Sequence, residues 1–149
     1  MTNNDIFRRL RFIENINEIK LQKIFEKSGE TVEPSKITKW LEREDSPDYE
    51  YMDDKKFSQF LNGLISSKRG EREGSTPVIE EQLTNNIKLK KISIAYSLRS
   101  DEIIEVLKTV NFRLGKSELS AFFRRPDHKN YRECKDQVLR NFLNGLQKK

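Results

Sequence analysis

His128 and Cys134 are the only histidine and the only cysteine of the chain, and they stand six positions apart in a stretch crowded with cations. An imidazole beside a thiol is the composition of a nucleophilic pair, since the ring can take the thiol proton. One histidine and one cysteine cannot assemble a Cys/His metal cluster, so no metal site is expected. Neither G-x-x-x-x-G-K-[ST] nor G-x-G-x-x-G occurs, and no phosphate cradle of that kind is legible. Asp and Glu are plentiful, but they fall at helix starts and on polar faces. No catalytic residue or cofactor is indicated, and because function has to be argued from a site, the chain reads as a non-enzyme.

A second chemistry is better represented. Arg124, Arg125, His128, Lys129, Arg132 and Lys135 form a basic run with Tyr131 inside it. Such a patch would neutralise several phosphates, and the tyrosine would offer a ring for base stacking. A plainer account stays open beside it, because cations at the end of a helix are favoured by the helix dipole alone.

What positions these residues is a duplication. Phe60-Leu61-Asn62-Gly63-Leu64 returns unchanged as Phe142-Leu143-Asn144-Gly145-Leu146, 82 residues later. The same offset aligns Thr2-Asn3-Asn4 with Thr84-Asn85-Asn86. It also aligns Ser35, Arg43, Asp45, Tyr49 and Asp54 with Ser117, Arg125, Asp127, Tyr131 and Asp136. Thirteen identities in one ungapped register define a tandem repeat. His128 and Cys134 align with Ser46 and Met52, so the nucleophilic pair has no counterpart in the first copy. A methionine at the cysteine's position points to a buried, apolar role for Cys134.

Each repeat reads as four helices. Asn3 or Asn4, and Asn85 or Asn86, are expected N-caps of the first helix. Its apolar positions are Phe7, Leu10 and Ile13 in one copy and Leu89, Ile92 and Ala95 in the other. The second helix carries Leu21, Ile24 and Phe25, matched by Ile103, Val106 and Leu107, with Ser100 as the expected cap of the later copy. Gly29 and Asn111 are suited to a left-handed turn after it. The third helix starts at Pro34 with Ile37, Trp40 and Leu41, matched by Leu119, Phe122 and Phe123. A turn-rich loop follows, which Tyr49 and Tyr131 are expected to fold back onto the core.

The fourth helix opens at Asp53 or Asp54 and at Asp136. Phe57, Phe60, Leu61 and Leu64 form its stripe, repeated by Leu139, Phe142, Leu143 and Leu146. A mid-helix glycine costs about 1 kcal/mol against alanine, so Gly63 and Gly145 imply a partner helix packed close to the backbone. Asn62 and Asn144 are placed to bridge the repeats, and Arg43–Asp45 and Arg125–Asp127 to brace the exit of helix three by ion pairs. The fold expected is all-α: two homologous four-helix repeats packed with pseudo-twofold symmetry through their FLNGL helices. The second and third helices of each repeat make a helix-turn-helix-like hairpin, with a turn about two residues too long for the usual motif. Its outward positions are Ser35, Lys36, Thr38 and Lys39, then Lys116, Ser117, Ser120, Arg124 and Arg125. Glu42, Glu44 and Asp45 would repel phosphates in the first copy.

The 149 residues divide into repeat one (1–70), an acidic flexible linker (71–83) and repeat two (84–149). Repeat one is neutral, the linker carries −3 and repeat two +8, together the +5 of the whole chain. An acidic partner should therefore meet the second half first. No apolar run reaches the ~18 to 20 residues that span a bilayer. The polar start lacks the pattern of a signal peptide, and a lone cysteine excludes an internal disulfide. A cytoplasmic location is expected.

Several motifs combine into a resemblance. They are T-N-N at the start of each half, Trp40-Leu41 or Phe122-Phe123 followed by Arg and Asp ahead of a tyrosine, and Lys68-Arg69-Gly70. Residues 128–146 add H-K-N-Y-R-x-C-x-D-Q-x-L-R-N-F-L-N-G-L. This resembles the YehS-like bacterial family, built from two copies of a domain of unknown function. The likeness covers essentially the whole chain and implies a small cytoplasmic bacterial protein, without supplying an activity or a ligand. Two functional expectations stand together. One is a regulatory or adaptor protein meeting nucleic acid, or another acidic partner, through repeat two. The other is a protein–protein module using an apolar groove between the repeats. Oligomeric state is left open.

Overall fold

The computed structural model describes residues 1–70 and 78–148. Their regular structure is helical throughout: α1 (Asn3–Glu14), α2 (Glu18–Lys27), α3 (Pro34–Leu41), α4 (Asp54–Arg69), α5 (Asn85–Ala95), α6 (Ser100–Lys108), α7 (Lys116–Phe122) and α8 (Asp136–Lys148). They form two compact units, Met1–Gln82 and Leu83–Lys149, each with four helices in the same order.

In the first unit the core is aromatic. Phe7, Phe25, Trp40 and Phe60 are buried, with ring centroids 4.7 to 6.3 Å apart. Phe7 meets Phe60 edge-on at 4.7 Å, the arrangement that sets a ring's positive edge on its neighbour's negative face. The second unit fills the aligned positions with Leu89, Leu107, Phe122 and Phe142, all buried. The expected apolar stripes thus face inward, although Ile13, Leu41 and Phe123 are only half-buried at the margins.

The glycine of each FLNGL segment has its partner helix inside its own repeat. A Cβ on Gly63 would fall against the Ile24 carbonyl group of α2, and one on Gly145 against the Val106 carbonyl of α6. Backbone therefore rests on backbone where α4 crosses α2 and where α8 crosses α6. The shared left-handed turn is present too: Gly29 has φ +86° and Asn111 φ +59°.

The caps of the first helix differ from expectation. Thr2 caps α1, accepting from the Asp5 N–H at 3.0 Å while the Asp5 carboxylate accepts from the Thr2 N–H at 3.1 Å. Thr84 caps α5 in the same way, accepting from Ile87 N–H. A threonine one step earlier satisfies the orphan amides and releases both asparagines for other work. Ser100 likewise lies inside α6; Arg99 is the cap residue, and its N–H is taken by the Glu102 side chain at 3.0 Å.

The released asparagines tie the loop between the third and fourth helices to the first. Asn4 donates to the Trp40 and Glu50 carbonyls (3.0 and 2.8 Å) and accepts from the Met52 N–H (2.8 Å). Asn86 repeats all three bonds with Phe122, Arg132 and Cys134 at 2.9, 2.7 and 3.0 Å. Asn3 donates to the Met52 carbonyl and to Asp54, and Asn85 to the Cys134 carbonyl and Asp136. The Asn85 amide holds the Asp136 carboxyl below its ordinary value. These bonds explain why Thr, Asn, Asn and the later Asp are identical in both copies. They close the fold around a loop whose own backbone groups would otherwise be buried unpaired.

Of the acidic linker, residues 71–77 lie outside the described residues. Residues 78–80 are tied to α4 instead of running free. Ser58 donates to the Glu80 carboxylate at 2.6 Å and accepts from the Glu80 N–H at 3.0 Å, and Asn62 donates to the Val78 carbonyl at 2.9 Å. Among the described residues no helix is long and apolar enough to cross a membrane.

Candidate functional site

The nucleophilic pair does not form. Cys134 is fully buried, and its thiol points to the Lys135 carbonyl at 3.7 Å. Burial, aided by the Asp136 and Glu133 carboxylates, pushes the thiol up to about 12. His128 is exposed on the loop, where its Nδ1 accepts from the Asn130 N–H at 3.0 Å. At pH 8 only about one Cys134 in ten thousand carries the thiolate that attacks. The native protein should leave a thiol reagent such as Ellman's unreacted, and unfolding should release one equivalent. Rapid labelling of the folded chain would refute this burial. The sign of the pH effect follows: the folded state holds the proton more tightly, so stability present below pH 9 falls as pH rises toward 12.

The loop after α7 gathers part of the basic run. Arg124, Lys129 and Arg132 line one open depression together with Ser117, Glu118, Ala121, Asn130 and Tyr131. The other three residues of the run are directed elsewhere. Arg125 pairs with Asp127 at 3.5 Å, Lys135 pairs with Glu133 at 3.0 Å, and His128 serves the turn. No ion pair holds Arg124, Lys129 or Arg132 among the described residues, and Glu118 is the one carboxylate on the rim. Asn86 fixes the Arg132 carbonyl, which ties the depression to α5.

The first repeat builds the same loop. Ser46 N–H donates to the Arg43 carbonyl, Tyr49 N–H to Ser46 and Glu50 N–H to Lys39; His128, Tyr131 and Arg132 donate to Arg125, His128 and Ala121 at distances within 0.1 Å. Arg43 pairs with Asp45 at 3.5 Å, as Arg125 does with Asp127. Both pairs are largely exposed and contribute little to stability. Tyr49 and Tyr131 are half-buried at the same place, and burial raises the Tyr49 phenol. Tyr131 is in this respect structural, as its counterpart in the first repeat implies.

On this shared backbone the charge is inverted. Residues 42–50 carry Glu42, Glu44, Asp45, Asp48 and Glu50 against Arg43, a net −4. Residues 124–132 carry Arg124, Arg125, Lys129 and Arg132 against Asp127, a net +3 with His128 neutral. Glu42 becomes Arg124, Pro47 becomes Lys129 and Glu50 becomes Arg132. In the first repeat Lys36 bridges to Glu50 across a depression that shares the positions Ser35, Lys36, Lys39 and Glu50 with that of the second. The second repeat exchanges these to Glu118 and Arg132; there Glu118 faces the Gly115 N–H at 3.4 Å.

The outward residues of α3 and α7 are exposed apart from Lys36, which is half-buried; Arg124 and Arg125, expected on that face, lie past the end of α7, with Arg124 half-buried and Arg125 exposed. Six residues separate Lys27 from Pro34, more than the ~3–4 of a groove-reading helix-turn-helix. The loop, not the helix face, concentrates the charge.

The family described as "Protein of unknown function (DUF1456)" matches residues 3–70 and again 85–149. The chain belongs to DUF1456. Its two matches coincide with the two four-helix repeats, so one DUF1456 domain corresponds to one unit of α1–α4 type. The chain is 43% identical over 148 residues to the uncharacterized protein YehS of Escherichia coli (strain K12), covering 98% of this chain and 94% of that one. No solved structure matches it. What the sequence reading missed is the role of Asn3, Asn4, Asn85 and Asn86. The signal was their identity in both copies, which exceeds what a single cap requires.

Proposed function

We propose that this protein is a non-enzymatic, cytoplasmic regulatory or adaptor protein whose second repeat binds the phosphate backbone of nucleic acid through Arg124, Lys129 and Arg132. One observation carries the reading: two copies of one loop backbone differ by inversion of charge, from −4 to +3. A solvated surface left to drift would scatter such changes, whereas here Glu42 and Glu50 are both replaced by arginine around one depression. The shallow, polar opening suits an extended backbone better than a small molecule, for which a deep apolar pocket is the usual host.

Anisotropy titrations of short labelled single- and double-stranded oligonucleotides at several salt concentrations test it. Three phosphate contacts give a log–log slope of about −2.7 on duplex and about −2.1 on single strands, or about a fortyfold loss on duplex between 50 and 200 mM salt. The variant Arg124→Ala/Lys129→Ala/Arg132→Ala should flatten that slope and bind far more weakly. Absence of binding at low salt, or equal binding by the variant, removes the proposal. Oligonucleotide binding that ignores salt would also remove it, because phosphate contacts must release counterions.

A further inference from the structure

We propose that the acidic loop of repeat one is a docking partner for the basic loop of repeat two in a second copy of this chain, so that the protein associates head to tail. The loops at 42–50 and 124–132 share three backbone hydrogen bonds at matched positions: Ser46, Tyr49 and Glu50 donate as His128, Tyr131 and Arg132 do. Within each, one charge of the majority sign is consumed by an internal pair, Asp45 by Arg43 and Arg125 by Asp127. Glu50 is further occupied by Lys36. Glu42, Glu44 and Asp48 then remain on one loop without an ion pair among the described residues, and Arg124, Lys129 and Arg132 on the other. Glu44 and Asp48 are exposed and Glu42 half-buried, on a scaffold whose twin carries three cations.

Opposed surface potentials of this kind set encounter and register more than tight affinity. The association is therefore weak, steered at low ionic strength and screened when the Debye length drops from ~30 Å at 10 mM to ~10 Å at 100 mM salt. The contact is heterologous, since the two surfaces that meet are different, and a dimer retains one unused acidic loop on one copy and one unused basic loop on the other. The acidic loop also competes with phosphate for the same cations. Self-association and polyanion binding then exclude each other at repeat two.

Sedimentation velocity at low salt reads this directly. The wild-type chain should form dimers and longer species as concentration rises, with apparent association weakened about tenfold or more between 10 and 100 mM salt. Two variants separate the surfaces: Glu42→Gln/Glu44→Gln/Asp48→Asn, and Arg124→Ala/Lys129→Ala/Arg132→Ala. Each alone should remain monomeric. Mixed one to one, they should give dimers and nothing larger, because a single matched pair of loops is left. A monomeric wild type, or a mixture without dimers, overturns the inference. The nucleic-acid reading fails separately: the acid-neutralised variant keeps its basic loop, so its oligonucleotide binding should be unchanged or tighter. Substitutions confined to an exposed loop leave the buried cores intact, which circular dichroism of both variants should confirm.

Discussion

Replacing Gly63 by alanine should lower the stability of the first repeat by about 2–3 kcal/mol, the upper range for overpacking a tight contact. Helix propensity alone gives the opposite sign, a gain of about 1 kcal/mol for alanine over glycine. Packing wins because the new methyl group meets backbone. An ideal Cβ lies 2.8 Å from the Ile24 carbonyl carbon and nearer still to its oxygen. No rotamer change relieves that clash, and α2 or α4 has to move. Gly145→Ala should do the same in the second repeat, where the Cβ lies 3.1 Å from the Val106 carbonyl carbon and 2.6 Å from its Cγ1. Trp40, the sole tryptophan, is buried in repeat one and reports its unfolding by fluorescence. Release of the Cys134 thiol reports repeat two. A Gly63→Ala protein as stable as wild type, or more so, would refute the backbone contact.

Asn4→Ala should be comparably damaging, about 3 kcal/mol or more. The side chain is fully buried and makes three hydrogen bonds, so its loss strands the Met52 N–H and the Trp40 and Glu50 carbonyls. Each stranded buried group costs about 1–3 kcal/mol when no water replaces the partner. Asn4→Asp is a sharper control. It keeps the acceptor for Met52 but sets a carboxylate against two carbonyl oxygens, so it should be no better than alanine. A repeat of about 66 residues has only a few kcal/mol to lose. Either substitution should therefore populate the unfolded repeat, read by denaturant midpoint through Trp40. Near-wild-type midpoints for both would show that the loop is held by other means.

How much was legible in the chain depended on the kind of force involved. Helix positions followed from apolar spacing, because burial of Phe7, Leu10, Ile24, Trp40 and Phe60 is periodic and locally encoded. Gly29 and Asn111 announced a shared turn, because few residues tolerate positive φ. The caps were displaced by one residue since Thr, Asn and Asp are near-equivalent as cap side chains. Only the partner loop, dozens of residues away, decided which of them was needed elsewhere. The basic patch was visible as composition, but its division into three cations in a depression and three side chains engaged elsewhere depended on loop geometry. The Arg125–Asp127 pair was legible, because the two are close in sequence and repeat Arg43–Asp45; Glu133 is as close to Lys135 and could have been read likewise.

The asparagine ties span 36 to 51 residues of chain, from the first turn of a repeat to the start of its last helix. During synthesis the opening residues of each repeat must wait for nearly the entire repeat to emerge before they can be satisfied. The two charged loops are accordingly not fully tied before residues 54 and 136 have been made. A ribosome paused within α4 or α8 would leave a nascent repeat with its helices begun and its clasp still open.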